Sequence, residues 1–291
     1  NEKYDIVHSN MSDWNFLPNF VAWLVGIKVR ISHSHMAVKD RKLGSKIFFS
    51  AEKNLGKLFS THYWACGELA GVDLFGKHAV ESGKVFILPN RIEYDKFSFS
   101  QESRDKIRND LGLGDGICLG HVSRLDTYSK NTLFVVDVFD KYCKNHNDAR
   151  LLFVGGGPEQ PTLKSYIEKK GLESKVIFIP SCNNIEEYYS AMDVLIMPSR
   201  YEGFSLVMVE AQSEGLIVMA SDTTSPEVKI SDYYYRLPID SEVPWVDFLE
   251  SKDLKNYPRN NTSINEFYNL TIHSGEMINK YMLYVLIRFF K

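Results

Sequence analysis

The chain has 291 residues, a length that fits two domains of ordinary size better than a single core. Its composition, 44% hydrophobic and 24% charged residues, is that of a folded globular protein and excludes a disordered or fibrous one. The net charge of −3 excludes a global basic field, so no nucleic-acid partner is expected.

Short β-rich runs alternate with segments of helical periodicity in the first third of the chain. Four strands are predicted there, at Asp5–His8, Lys28–Ser32, Tyr63–Cys66 and Val85–Leu88. Helices are predicted between them, near Asn15–Val25, Leu43–Phe59 and Glu68–Phe75. This alternation favours βαβ units around a parallel sheet. Because a strand pattern is already present at Tyr4, we expect the first domain, residues 1–97, to be incomplete as given.

A second α/β series follows a polar stretch, Ser98–Arg108, that carries no strand signal. Its predicted strands are Ile117–Val122, Leu151–Val154, Val176–Ile179, Val194–Met197, Ile217–Ala220 and Arg236–Ile239. They predict a second Rossmann-like domain over residues 98–262. The tail, residues 263–291, has helical periodicity, and we expect it to pack back on the first domain.

The chain has four widely spaced cysteines, at Cys66, Cys118, Cys143 and Cys182. Each stands in or beside an apolar run, which is typical of reduced core thiols in a cytoplasmic protein. The longest apolar runs, Phe20–Ile27 and Tyr281–Ile287, fall short of the ~20 residues that a membrane-spanning helix needs. We therefore expect a cytoplasmic protein that does not cross the membrane.

The strongest local motif is Pro198–Ala211, which directly follows a predicted strand. Ligands of open α/β sheets bind at the carboxyl ends of strands. Gly203 allows a sharp turn, and the backbone N–H groups of the next three residues then open a helix with unpaired donors. These three residues are Phe204, Ser205 and Leu206. The segment therefore predicts a phosphate site.

Two glutamates of this motif, Glu202 and Glu210, are candidate ligand contacts. Glu210 stands among apolar residues, where a carboxylate needs a hydroxyl or cation as partner. If both lay on one helix, eight residues would rise ~12 Å, whereas paired glycosidase carboxyls lie ~5–9.5 Å apart. The spacing favours binding two ends of one ligand over a hydrolytic pair. The alternative is that both carboxylates are solvated surface charges.

Two further loops follow strands of the second domain. The first carries Arg124 and Lys130, cations that could neutralise a diphosphate, or that are ordinary surface charges. The second contains Gly155 and Gly156 in a Gly-Gly-Gly-Pro turn. It is not a dinucleotide fingerprint, and a plain tight turn is the alternative explanation.

Histidines follow two strands of the first domain: His8 near Asn10 after one strand, and His33 and His35 after the next. At strand ends such rings can orient a sugar or its phosphate, or they can be polar strand caps. No acidic or cysteine partner stands at ligand spacing, so no metal site is predicted.

Residues 39–57 carry six basic residues against two acidic ones, interleaved with apolar side chains. This segment could rest on an anionic membrane leaflet, or it could be a solvated helix face that covers the core.

The chain resembles glycosyltransferase family 4, retaining enzymes with the two-domain GT-B fold, and within it the bacterial capsule and exopolysaccharide transferases. The matching segments occur in the family's order: residues 4–9, 29–35 and 88–90, the loop from Arg124 to Lys130, the turn Gly155–Pro158 and the motif from Glu202 to Glu210. The chain has Arg91 where the family often has glycine, and the family's glycine-rich loop near the N-terminus is not found.

The resemblance implies a role for each motif. Arg124 and Lys130 would bind the donor diphosphate, with the backbone at Phe204 and Ser205. Glu202 would contact the donor sugar and Glu210 the ribose hydroxyls. His35, or else His33, would approach the reacting centre from the first domain, with His8 and Asn10 on the acceptor side.

The function expected from this resemblance is a retaining, metal-independent transfer of a hexose. No cofactor is implied, and the donor would be a nucleotide sugar, expected to be a UDP-sugar. The acceptor would be a glycan, expected to be lipid-linked, at the inner face of the cell membrane. Two alternatives stay open: a truncated, inactive remnant that only binds nucleotide sugar, and a GT-B sugar-nucleotide epimerase.

Overall fold

The computed structural model describes residues 3–35, 50, 53–200, 202, 204–259, 268–273 and 275–289. The chain divides into two compact units. The first contains Asn1–Arg91, Glu202–Phe204 and Phe267–Lys291, and the second contains Ile92–Tyr201 and Ser205–Glu266. Residues 92–97, which the sequence assigned to the first domain, thus group with the second unit.

The first unit is built on a parallel four-stranded sheet. Its strands are β1 (Ile6–Ser9), β2 (Val29–Ser34), β3 (His62–Ala65) and β4 (Val85–Ile87), in the order β1-β2-β3-β4. Its helices are α1 (Phe16–Leu24), α2 (Glu68–Phe75) and α3 (Lys77–Glu81), and residues 53–59 are also helical. Most of the basic segment 39–57 lies outside the described residues.

The second unit is built on a parallel six-stranded sheet with the order β10-β9-β8-β5-β6-β7. Its strands are β5 (Cys118–Val122), β6 (Arg150–Val154), β7 (Val176–Ile179), β8 (Val194–Met197), β9 (Ile217–Ser221) and β10 (Tyr234–Leu237). Its helices are α4 (Gln101–Asp110), α5 (Thr132–Tyr142), α6 (Gln160–Lys169), α7 (Ile185–Ala191), α8 (Leu206–Ser213) and α9 (Val243–Glu250).

The core of the second unit follows from this layering. Strands β5, β8 and β9 are buried along their whole length, as expected for a parallel sheet that helices cover on both faces. The largest buried side chain of the unit, Trp245, packs edge-on against Phe134 and donates its indole N–H to the Pro238 carbonyl at 2.7 Å. These contacts fix helices α5 and α9 on one face of the sheet.

The tail contributes helices α10 (Leu270–His273) and α11 (Glu276–Phe289) to the first unit. Tyr281 and Tyr284 of α11 pack against buried Trp64 of β3. At the start of α11, Glu276 forms an ion pair of 2.5 Å with Arg91, whose side chain is 5% exposed. Within the described residues, no helix is both long and apolar enough to span a membrane.

Most predicted strands agree with the structure to within one residue at each end, and two of them differ by two residues. The structure places β10 at Tyr234–Leu237 rather than at Arg236–Ile239, because its pairing with β9 starts with Tyr234 opposite Val218 and ends where the Leu237 carbonyl accepts the N–H of Asp222. β2 continues to Ser34, since its polar end still pairs with β3, with Ser34 opposite Ala65.

Candidate active site

A cavity of about 410 Å³ opens where strands β5, β6 and β7 of the second unit end. Helices α7 and α8 complete its wall. Its polar side chains are Ser123, Arg124, Ser181, Cys182, Tyr189 and Glu210. The cavity lies at the carboxyl ends of the strands, which is the usual ligand position in an open parallel sheet.

A second cavity, of about 720 Å³, lies in front of the amino ends of β5 and β8 and is less suited to a ligand. Its two arginines are already engaged: Arg104 and Arg108 both pair with Asp193, at 2.6 and 3.3 Å. Arg104 also donates to the Ser190 carbonyl, and Arg108 to that of Gly114. Because these donors are satisfied within the protein, this cavity is a structural ion-pair cluster.

The end of β5 supplies Ser123 and Arg124 to the smaller cavity. The Arg124 side chain is 72% exposed and forms a long ion pair of 3.4 Å with Asp126. The guanidinium is therefore available to an anionic ligand, as the sequence predicted for a diphosphate contact.

The loop that leads from Arg124 to Lys130 is folded by two carboxylates. Asp126 accepts the backbone N–H groups of Tyr128 and Ser129, at 2.9 and 2.7 Å. Glu159 accepts both the backbone N–H and the hydroxyl of Thr127. Lys130 itself is half-buried and does not line the cavity.

Beneath this loop lies His121, a fully buried residue that the sequence analysis missed. Its Nδ1 is 2.7 Å from the Ile196 carbonyl, so Nδ1 carries the proton, and Nε2 then accepts from the Ser123 hydroxyl at 2.8 Å. Burial, together with the nearby charge of Lys130, lowers the pKa of His121 to about 4, although the hydrogen bond to the Ile196 carbonyl acts in the opposite direction. The neutral ring holds Ser123 in the cavity wall.

Because of His121, we expect the difference in stability between the wild type and the His121→Gln variant to depend on pH. The unfolded chain binds a proton on His121 below pH 6.5 while the folded chain does so only near pH 4, so its contribution to stability falls as the pH drops through that window. The advantage of the wild type over His121→Gln should shrink by about 2 kcal/mol between pH 7 and pH 5, measured by denaturant unfolding.

The free energy of unfolding must be compared between wild type and His121→Gln at each pH. Burial raises the pKa of Glu214 to about 7, which gives the stability of both proteins the opposite dependence on pH. His78→Gln, at an exposed position, is the control and should follow the wild type. A constant difference between wild type and His121→Gln across this range would contradict the assignment.

The turn after β6 contributes Gly155 and Gly156 to the cavity wall. Gly155 has φ +127°, and a Cβ there would lie 2.0 Å from the carbonyl oxygen of Ser123. Its N–H donates to the Ile179 carbonyl at 2.9 Å, which joins the ends of β6 and β7. A Cβ at Gly156 would meet no atom within 4 Å. Close approach of the ends of β5 and β6 therefore requires glycine at position 155.

Glu210 faces the cavity from helix α8. Its Oε2 accepts a hydrogen bond of 2.8 Å from the hydroxyl of Tyr189 on α7. Burial raises the pKa of Glu210, and the bond from Tyr189 offsets part of that rise. The hydroxyl partner that the sequence required is thus present in the protein, and the carboxylate is held in a fixed orientation beside the cavity.

Helix α8 begins at Leu206, with Ser205 as its N-cap residue, whose side chain makes no capping hydrogen bond. Ser205 and Leu206 do not line the cavity, whereas Val207 does. Gly203 lies outside the described residues. Glu202 and Phe204 group with the first unit, where the Phe204 ring stacks on Tyr268. Glu202 lies four residues before the first residue of helix α8, so Glu202 and Glu210 are not on one helix. The distance between them that was predicted from helical rise was therefore wrong.

The histidines of the first unit come together at the ends of β1 and β2. Nε2 of His8 is 3.0 Å from Nδ1 of His33, and Nε2 of His35 is 2.9 Å from Oδ1 of Asn10. His33 is buried, while His35 is half-buried. The predicted acceptor-side residues are therefore neighbours. Within the described residues, no group of three or more metal-ligating side chains is found.

The prediction of four buried core thiols was wrong for one of them. Cys66, Cys118 and Cys143 are buried, but Cys182 is half-buried and lines the cavity. It follows β7, so the rule that ligands bind at strand ends could have identified it together with Ser181. Tyr189 carried no such signal, because it reaches Glu210 only through the packing of α7 on α8.

Comparison with known proteins agrees with this geometry. The family model for glycosyl transferases group 1 matches residues 103–248, about half of the chain. The EpsF protein of Bacillus subtilis (strain 168) is 30% identical over 236 residues, which are 78% of this chain and 60% of that protein. The UDP-Gal:alpha-D-GlcNAc-diphosphoundecaprenol alpha-1,3-galactosyltransferase of Escherichia coli is 28% identical over 233 residues, 76% of this chain and 58% of that enzyme.

The chain spans about three fifths of the length of these two relatives. Among solved structures, Anabaena Alr3699/HepE in complex with UDP-glucose matches with a TM-score of 0.75 at 18% identity. The match covers 98% of this chain and 79% of that one. Two parallel α/β sheets and this likeness assign the GT-B fold, as the sequence predicted.

Proposed function

The chain belongs to the glycosyl transferases group 1 family, and on that basis we propose that it transfers a sugar from a nucleotide-sugar donor to a glycan in polysaccharide biosynthesis. The observation that carries the proposal is the cavity of the second unit, where Arg124, Glu210 and the Gly155-Gly156 turn meet at the ends of three parallel strands. A cation, an anchored carboxylate and a tight glycine turn suit the three parts of such a donor.

Each part of the donor has a matching group. The exposed guanidinium of Arg124 suits a diphosphate, for which a planar fork of donors is well shaped. The carboxylate of Glu210, anchored by Tyr189, suits the two ribose hydroxyls. The side of the cavity formed by Cys182 and Ile185 suits a nucleobase. We propose UDP as the nucleotide, since the Anabaena structure contains UDP-glucose.

The proposed reaction breaks the bond between the sugar and the diphosphate while an acceptor hydroxyl attacks from the same face, which retains the anomeric configuration. The main catalytic requirement is to stabilise the negative charge on the leaving diphosphate. Arg124 supplies positive charge from the cavity wall, and Lys130, which lies outside that wall, is assigned to the same purpose, so the proposed transfer needs no metal. Glu202 is assigned to the donor sugar, and His35 or His33 to the reacting centre.

The proposed acceptor is a lipid-linked glycan at the cytoplasmic face of the membrane. The Escherichia coli relative is named for an acceptor linked to diphosphoundecaprenol, which supports this class of acceptor. A chain of this kind would work beside the membrane and would need only peripheral contact with anionic lipid.

A second candidate is a protein that binds nucleotide sugar without transferring it. One observation favours it: every residue that lines the cavity belongs to the second unit. Incubation with UDP-glucose and a lipid-linked glycan separates the candidates, because only the enzyme releases UDP in proportion to a glycosylated product.

Alkylation of Cys182 tests whether the cavity binds the nucleotide. This thiol lines the cavity, whereas the other three cysteines are buried. Saturating UDP should slow its reaction with N-ethylmaleimide by about tenfold or more, because a bound ligand of this size buries most of its surface in the cavity wall. Peptide mass spectrometry measures the rate at each cysteine separately.

Cys182→Ser is the control for this experiment and should show no nucleotide-sensitive labelling. Uridine without phosphate should protect much less than UDP, because it lacks the groups that contact Arg124. Equal labelling rates of Cys182 with and without millimolar UDP would reject the cavity as the nucleotide site.

A further inference from the structure

A chain of hydrogen bonds crosses the first unit from helix α11 to the end of β2. The hydroxyl of Tyr281 contacts Nδ1 of His8. Nε2 of His8 lies 3.0 Å from Nδ1 of His33. Nε2 of His33 is buried and has no hydrogen-bond partner among the residues that the structure describes. The three residues thus connect the tail of the chain to one of the histidines assigned to the reacting centre.

The donor and acceptor roles in these hydrogen bonds follow from Tyr281. A phenol has one proton to donate, and Nδ1 of His8 is the partner that the described residues offer to the Tyr281 hydroxyl. Donation from tyrosine makes Nδ1 of His8 an acceptor and places the ring proton on Nε2. That proton is then donated to Nδ1 of His33, whose own proton must lie on Nε2.

Both rings are neutral at physiological pH, which a fixed tautomer requires. Burial, together with the neighbouring His35, lowers the pKa of His8 to about 4, and burial together with His35 and His8 lowers that of His33 to about 3. A neutral imidazole has one donor and one acceptor nitrogen, so the partner of one nitrogen decides the role of the other.

We propose that Tyr281 is a positioning residue that acts through His8 to fix His33 in the tautomer that carries its proton on Nε2. The proposal rests on the proposed function, because it assigns the role of His33 within the same reaction. In this tautomer Nε2 of His33 already carries a proton, so this nitrogen does not act as the base that removes the acceptor proton.

The surroundings of Tyr281 hold its hydroxyl in place. Its ring stacks on Trp64 with centroids 5.5 Å apart and an interplanar angle of 15°. His8 meets the same indole edge-on at 4.9 Å. One turn further along α11, the hydroxyl of Tyr284 accepts the indole N–H of Trp64 at 3.2 Å. Tyr281 and Tyr284 therefore share one packing surface but make different hydrogen bonds.

Long-range ¹H–¹⁵N spectra of histidine-labelled protein test the proposal, because they distinguish the two neutral tautomers of each ring. In the wild type, His8 and His33 should both be protonated on Nε2. Tyr281→Phe keeps the ring that packs on Trp64 and removes only the hydroxyl. In this variant each of the two rings should be a mixture of the Nε2–H and Nδ1–H tautomers.

Tyr284→Phe is the matched control, and it should leave both tautomers as in the wild type. An Nδ1–H form of His33 in the wild type would overturn the proposal, even if Tyr281→Phe failed to fold. A folded Tyr281→Phe protein with unchanged tautomers would also overturn it. In a turnover assay, Tyr281→Phe should lower kcat ~10–100-fold at unchanged KM for the donor, the range typical of groups that orient functional histidines.

The tautomer measurement needs no turnover, so it is independent of the proposed function. If the chain binds nucleotide but transfers no sugar, the proposed function fails, while the spectra still decide which nitrogen of His33 carries the proton. If turnover is present and kcat of Tyr281→Phe equals that of the wild type, the positioning role fails while the proposed function stands.

Discussion

Gly155→Ala should lower the free energy of unfolding by about 3 kcal/mol or more and should abolish UDP binding. The new Cβ would lie 2.0 Å from the Ser123 carbonyl oxygen, and the residue would be held at φ +127°, where a side chain is strained. Relief of the clash must separate the ends of β5 and β6, and both ends form the wall of the cavity.

Gly156→Ala is the control for this variant, since its Cβ would meet no atom within 4 Å and its φ is not positive. Thermal unfolding should place Tm of Gly155→Ala more than about 6 °C below that of Gly156→Ala. Equal Tm values for the two variants would show that the close approach at the strand ends is not required.

Arg124→Ala should weaken UDP binding about 10–100-fold, because hydrogen bonds to a charged group contribute ~1.5–3 kcal/mol and each tenfold in affinity is ~1.4 kcal/mol. The side chain is 72% exposed, so its removal should change the stability by less than about 0.5 kcal/mol. Calorimetric titration with UDP and with UMP measures the effect, which should be larger for UDP.

Arg150→Ala is the matched control, because Arg150 begins β6 at the opposite edge of the same sheet. It should bind UDP as tightly as the wild type does. If Arg124→Ala bound UDP with wild-type affinity, the diphosphate would have to lie elsewhere, and the assignment of the β5 end would be withdrawn.

The order of strands and helices could be predicted from the sequence, since each strand of the second unit has a short apolar run bounded by turn residues. The ends of strands could not be predicted where the polarity of a side chain disagrees with the pairing of its backbone. Ser34 reads as a loop residue but pairs within β2, because a neighbouring strand rather than its own side chain determines its hydrogen bonds.

Site residues were predictable where the fold places them by rule. Arg124, Gly155 and Gly156 directly follow strands, and the carboxyl ends of parallel strands share one edge of the sheet. Glu210 was predictable because an isolated carboxylate in an apolar helix needs a partner. The roles of these residues toward a donor stay predictions until a ligand is bound.

The missed residues depend on contacts between distant parts of the chain. Tyr189 and Glu210 meet only when α7 packs beside α8, and Tyr281 meets His8 only when the tail packs on the first sheet. His121 reads as one more position of a buried strand, and its hydrogen bonds to Ile196 and Ser123 arise from pairing with β8 and from the turn that follows. No local pattern encodes such partners.

A crystal structure of the chain with UDP tests the central claim most directly. The account predicts the diphosphate beside the guanidinium of Arg124, the ribose hydroxyls within hydrogen-bond distance of the Glu210 carboxylate, and the uracil at the side of the cavity formed by Cys182 and Ile185. UDP bound away from these residues, with this cavity empty, would contradict it.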